Sequence, residues 1–166
     1  METLFENRHI RDKASIEEMY TNTLLKRPIM YFLYAIEGVC VLLNILNVII
    51  FGSVDFTPTV IALAIAVTVF VMLKIMTSKV TKQIYELNGG EPPELTTYVY
   101  EDRIKVFTEK NENELEWSKF KAVQLTKNLI LLRTRENVVF ALSRAGFTKG
   151  TYQGFCEFLR KKGLLK

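Results

Sequence analysis

The chain has 166 residues, 49% of them hydrophobic, and a formal net charge of +4. Its sequence pI is near 9.0 and its mean hydropathy is +0.12. That length allows one domain, or a small domain with an appendage. The basic balance does not point to nucleic acid, because no basic patch interleaves with a recognition motif.

Charge is distributed unevenly. Within residues 28–76 only Glu37, Asp55 and Lys74 are charged, and the flanks hold nearly all the rest. Two apolar runs separated by one short polar turn account for this better than a soluble core does. Cys40 and Cys156 have neither metal-ligand nor redox spacing, which fits a reduced, cytoplasmic setting.

In chain order, the N-terminal segment 1–27 starts with METLFENRHIRDK, which lacks the apolar run of a signal peptide. His9, the single histidine, falls in this polar tail without an evident partner. Ser15 followed by Glu18 reads as a capping box. Ile16, Met19, Tyr20 and Leu24 follow at helical spacing, predicting a short amphipathic helix over about 16–26. Such a helix either lies on a membrane surface or docks on the C-terminal domain.

A transmembrane hairpin is expected over 28–76. The first span, 28–51, is PIMYFLYAIEGVCVLLNILNVIIF. At 1.5 Å per residue it is roughly 35 Å long, enough to cross a hydrocarbon core of about 30 Å. The second span, 56–76, carries no charge before Lys74. Four residues, GSVD, connect them, so the spans are antiparallel and both termini lie on one side. Arg8, Arg11, Lys13, Lys26 and Arg27 precede the hairpin, Lys79 and Lys82 follow it, and the turn has no Lys or Arg. The positive-inside rule therefore puts both termini in the cytoplasm.

Glu37, Asn44 and Asn47 share one face of the first span, a stripe roughly 80° wide that also holds Cys40. On the second span Thr57, Ala64 and Thr68 form one small or polar stripe, and Ala62 and Ala66 form another small-xxx-small pair. Small residues let helices approach and polar ones hydrogen-bond across. The first reading has the two polar stripes facing each other, with Glu37 at the depth of Thr68. Glu37 is then a packing or oligomer contact, or an ion site in an oligomeric pathway, since two helices cannot enclose one alone.

Past the second span, residues 77–94 keep a helical rhythm through Val80, Ile84 and Leu87. GGEPPE then stops it, with Gly for a C-cap followed by Pro. From Leu95 the period changes to 2. LTTYVYED, RIKVFTEK, ELEWSKFKAVQLT, NLILLRT and NVVFALS read as five or six short antiparallel strands, and KNENE as a loop. The end is helical: Thr151 can cap, Tyr152, Phe155, Cys156 and Leu159 make an apolar face, and Gly163 stops the helix. The fold class expected is α+β: a membrane hairpin followed by a small antiparallel sheet or barrel closed by a C-terminal helix.

The segments YEDRIKV, ELEWSKFKAVQLTKNLILL and VVFALSRAGFTKGTYQGFCEFLRKK, placed after two spans, resemble the YcxB-like family of small bacterial membrane proteins. The likeness covers residues 95–166 and rests on Glu116-Trp117-Ser118, the Leu-rich run 129–132, and Phe147 and Gly150 before the last helix. Many members have a proline before that helix where this chain has Ala141-Leu142-Ser143-Arg144. The resemblance implies a pleckstrin-homology-like domain anchored in the bacterial inner membrane, and no activity.

Among candidate sites, Arg160, Lys161, Lys162 and Lys166 could meet anionic headgroups, each adding about 1 kcal/mol near such a surface; helix-end charge complementarity is the rival account. The turn Glu101-Asp102-Arg103 is acidic, which argues against a phosphoinositide site. Trp117 is expected as a core or interface anchor. No catalytic set, phosphate loop or metal-ligand cluster is visible, so no cofactor and no enzymatic role is expected. The expected partners are the bilayer, anionic lipid, and either a second copy or another protein. Two classes of function remain: an interaction or regulatory module held at the membrane, or a subunit of an oligomeric transport or pore assembly with Glu37 inward.

Overall fold

A computed structural model of the chain describes residues 2–24, 28–52, 57–108 and 111–165, and leaves out the side chains of 24, 28–30 and 32. Lys26, Arg27, Lys166 and most of the turn between the expected spans lie outside the described residues. The chain divides into two compact units, one of residues Tyr20–Val80 and one combining Met1–Met19 with Thr81–Lys166.

The second of these units is the α+β domain, and it does not begin at residue 95. Its first strand, β1, is Phe5–Ile10, from the segment expected to be a polar tail. Next come helix α1 (Lys13–Leu24), then α2 (Pro28–Phe51) and α3 (Thr57–Leu87). The strands β2 (Glu94–Val99), β3 (Arg103–Phe107), β4 (Glu112–Glu116), β5 (Phe120–Leu125), β6 (Leu129–Thr134), β7 (Val139–Ser143) and β8 (Phe147–Lys149) precede helix α4 (Tyr152–Lys161). Two antiparallel sheets result, a five-stranded one in the order β4-β3-β2-β1-β8 and a three-stranded one in the order β5-β6-β7. β1 therefore sits inside the larger sheet, with Phe5 opposite Val99 and Ile10 opposite Glu94.

β1 alternates Phe5, Asn7 and His9 against Glu6, Arg8 and Ile10, and Asn7 and His9 are buried. The Asn7 amide works as an extra piece of backbone. Its Nδ2 donates to Ser143 O at 2.7 Å, and its Oδ1 accepts from Ser143 N at 3.1 Å. That ties β1 of one sheet to β7 of the other. Gly146 allows the adjoining approach: a Cβ there would lie 2.1 Å from Arg8 O.

Between the sheets and α4 lies one apolar cluster containing Val99, Ile104, Trp117, Phe120, Ile130, Leu132, Leu142, Phe155 and Leu159. Trp117 opens a single 3-10 turn, Trp117–Lys119, rather than a strand, and is a core anchor as expected. Its indole N–H donates to Tyr100 O at 3.0 Å, which satisfies the one polar atom the ring brings inside. Leu129 and Leu131, on the other face of β6, are buried as well, as are Ile16 and Met19 of α1.

α1 docks on the domain, which decides between the two placements open to it. The hydrogen bonds differ from the expected capping box. Asp12 is the residue that caps, accepting from Ser15 N at 2.8 Å and from Ser15 Oγ at 2.5 Å. Glu18 instead reaches the β5–β6 turn, accepting from Asn128 N and Asn128 Nδ2, both at 2.8 Å. An aspartate one turn earlier outcompetes Ser15 for the free N–H groups, and this releases Glu18 for a long-range contact.

KNENE is also not a loop throughout, since its last residues enter β4. Glu112 and Glu114 pair across the strands with Lys105, at 3.4 and 2.7 Å, and Arg103 pairs with Glu114. Opposite charges on neighbouring strands offset the low strand preference of Asn and Glu. α3 is continuous from Thr57 to Leu87, so the helical extension expected past residue 76 is present. Gly89 and Gly90 end it with positive φ, and Gly90 N donates to Tyr85 O at 2.7 Å, a Schellman-type stop.

Candidate functional site

The helical unit contains α2 and the length of α3 up to Val80. Both helices are long and apolar enough to cross a membrane. Neither helix is buried within the chain. Ile49 is 72% exposed, Leu63 65% and Phe51 71%, and apolar side chains are exposed around most of both helices.

What the two helices do bury is a narrow seam. On α2 the partly buried described positions are Leu33, Glu37, Cys40, Asn44 and Asn47; on α3 the buried or partly buried positions include Thr59, Ala62, Ala66, Val69 and Leu73. Both sets step by three and four residues, the spacing of left-handed helix pairs. The polar stripe expected on α2 is therefore the seam. On α3 the seam is the alternative stripe, built around Ala62 and Ala66. Thr57, Ala64 and Thr68 point away, roughly 140–180° around the helix, and are exposed. The reason is packing: Ala62, buried on the seam, lets the backbones come close, while Thr68 satisfies its hydroxyl on its own helix by donating to Ala64 O at 2.8 Å.

Asn44 sets the register. Its Nδ2 donates to Thr59 Oγ1 at 2.6 Å across the seam and lies 3.2 Å from Cys40 O. Its Oδ1 is buried without a hydrogen-bond partner among the described residues. Two turns back along α2, Glu37 lines a groove of about 230 Å³ with Leu33, Tyr34, Ile65, Ala66, Val69, Phe70 and Leu73. Every other wall is apolar or aromatic. Thus Glu37, Asn44 and Asn47 come together on one seam, and Thr68 is replaced there by Thr59. Residues 59 and 68 are equally polar in sequence; only the packing of Ala62 and Ala66 on the seam separates them.

The basic end of α4 is less open than its sequence. Lys162 is held by Glu101 at 2.9 Å, with its ammonium 5.4 Å from the Phe158 ring centroid. Arg160 and Lys161 are exposed. Lys161 and Lys162 share a cleft of about 470 Å³ with Leu4, Phe5, Glu101, Gly154, Glu157 and Phe158. Its charge is mixed, so an anion there would meet two carboxylates. The same end of the helix gains from its cations in any case, because they face the negative pole of the helix dipole.

The acidic turn is internally paired too. A hydrogen bond from Arg103 holds the Asp102 carboxyl below its ordinary range. The same contact, followed by Glu114, holds the Arg103 guanidinium above its own. His9 is a buried group rather than a tail residue. Burial lowers its pKa from 6.5, Asp12 opposes this and Arg11 adds to it; Nε2 is buried with no hydrogen-bond partner among the described residues.

No protein-family model, no curated protein and no solved structure matches the chain.

Proposed function

We propose that this chain is a membrane-anchored, non-enzymatic interaction or regulatory module. Its hairpin spans a bacterial inner membrane, both termini are cytoplasmic, and a pleckstrin-homology-like domain of the YcxB type stands at the membrane face. One observation carries the reading: α2 and α3 expose apolar side chains around most of their surface, which water would penalise and hydrocarbon would not. The two-sheet domain closed by α4, and the resemblance of residues 95–166, support the domain assignment. Among the described residues, exposed Arg160 and Lys161 are those left for anionic lipid, with Lys162 paired to Glu101 and Lys166 outside the described residues.

A second reading, a subunit of an oligomeric transport or pore assembly, is favoured by one feature, the Glu37 carboxylate on the helix seam. Ionisable residues at such depth often mark pathways. The two readings separate in one experiment on the full chain. The module is expected to stay in membranes through alkaline carbonate and to give no ion flux in proteoliposomes, with or without Glu37→Gln. Flux that Glu37→Gln abolishes would establish the second reading. Release by carbonate would sink both.

A further inference from the structure

The groove at Glu37 is a built pocket, and its chemistry is selective. Leu33, Ile65, Ala66, Val69 and Leu73 make apolar walls, Tyr34 and Phe70 supply two rings, and Glu37 supplies the one carboxyl group among the described lining residues. Among the described residues no hydrogen bond or ion pair joins the Glu37 carboxylate to another side chain. A carboxylate left so among apolar walls favours a cation that can give up its water cheaply. Aromatic rings in the same lining favour the same guest, because ring quadrupoles attract organic ammonium groups.

From this geometry we infer that the groove binds a small lipophilic organic cation, an aryl- or alkyl-ammonium, with its charge at Glu37 and its apolar part against Phe70 and Leu73. A metal ion does not fit, since a single carboxylate among hydrocarbon walls lacks the further oxygen ligands a hard cation needs. An anion does not fit beside the Glu37 carboxylate, and a sugar needs more hydrogen-bonding groups than the Tyr34 hydroxyl and one carboxylate supply. Size narrows the class: about 230 Å³ is below the usual range of about 300–1,000 Å³ for organic ligands. One ring or one short alkyl chain fills it, and a large polycycle does not. The inference rests on the membrane reading only for the route of entry, because a lipophilic cation reaches an open groove through the bilayer.

The probe is benzyltrimethylammonium, titrated calorimetrically into the full chain in an uncharged detergent. Its neutral isostere, neopentylbenzene, and the anion benzenesulfonate serve as comparisons. Wild type is expected to bind the cation at least tenfold more tightly than either comparison, and Glu37→Gln to abolish that preference while the neutral compound is unaffected. Equal binding of cation and isostere, or a preference that survives Glu37→Gln, overturns the inference. So does a wild type that ignores the cation and dimerises while Glu37→Gln is a monomer, for then a second copy takes the carboxylate. If Glu37→Gln does not fold, Phe70→Leu keeps the charge and removes a ring; cation affinity then has to fall severalfold with the isostere unchanged. Carbonate extraction reports separately on the membrane reading, so the two can fail independently.

Discussion

Asn7 brings an amide into the core on the condition that both of its polar halves are satisfied. Ser143 meets that condition through its own N–H and C=O. Replacing Asn7 with Ala leaves those two backbone groups without their partners, and each such group costs about 1–3 kcal/mol. Asn7→Ala is therefore expected to destabilise the domain by about 2–6 kcal/mol. Buried Trp117 is the only tryptophan, so its emission during urea unfolding reads the domain directly. A midpoint within error of wild type, at unchanged slope, would refute the strut. His9 is the companion residue. Its pKa is lowered in the fold, chiefly by burial, so the unfolded chain binds the proton more readily. Stability is thus complete above about pH 6.5 and falls as pH drops from there toward the folded value. Glu18 adds a loss at lower pH: burial works to raise its carboxyl, but hydrogen bonds from Asn128 and Thr126 prevail and hold it below 4.5. The urea midpoint should decline below pH 6.5, and His9→Leu should flatten that first decline while leaving the second.

At the scale of elements, the legible parts were those whose signal is local. The apolar runs, the Gly89-Gly90 stop, the Thr151 cap and the period-2 strands after residue 94 depend on neighbours within a few positions. Thr151 accepts from Gly154 N at 3.1 Å, as its place before the last helix implied. β1 was not legible, because its inward residues are Asn7 and His9 and its partners lie some 90 and 140 positions away. Glu18 was misread for a related reason: a capping box is a local pattern, whereas its true partner, Asn128, is 110 residues distant. The choice between Thr59 and Thr68 turned on which face of α3 packs, which composition alone leaves balanced. These long-range elements carry a prediction. A chain of residues 94–165 alone lacks β1, and its five-stranded sheet is split between β2 and β8. It should give a collapsed amide spectrum. Fusing residues 2–24 ahead of 88–165 by a flexible linker should restore dispersed amides, and a well-dispersed spectrum from 94–165 alone would contradict the topology. Within the fused chain, Glu18→Ala should cost about 1 kcal/mol, the worth of an exposed charged hydrogen bond, and speed hydrogen exchange in α1 selectively.

For the whole molecule, the chain returns to the same domain on either side of the helical excursion. β1 and β2 pair over six positions from Phe5 opposite Val99 to Ile10 opposite Glu94, although residues 28–87 intervene. This requires residues 5–10 and 94–99 to be in the same compartment, whatever the hairpin does between them. Two spans meet that requirement; one span, or three, would not. Under the proposed membrane reading, the basic residues flanking the hairpin choose the compartment, and the positive-inside rule would make it the cytoplasm. Compartment reporters placed after Glu2, after Ser53 and after Leu165 should therefore read cytoplasm, exterior and cytoplasm. Either terminus reading exterior while the other reads cytoplasm would break the β1–β2 pairing itself, a stronger contradiction than a wrong orientation. All three reading cytoplasm would remove the spanning hairpin and leave α2 and α3 with exposed apolar faces that need a protein cover instead.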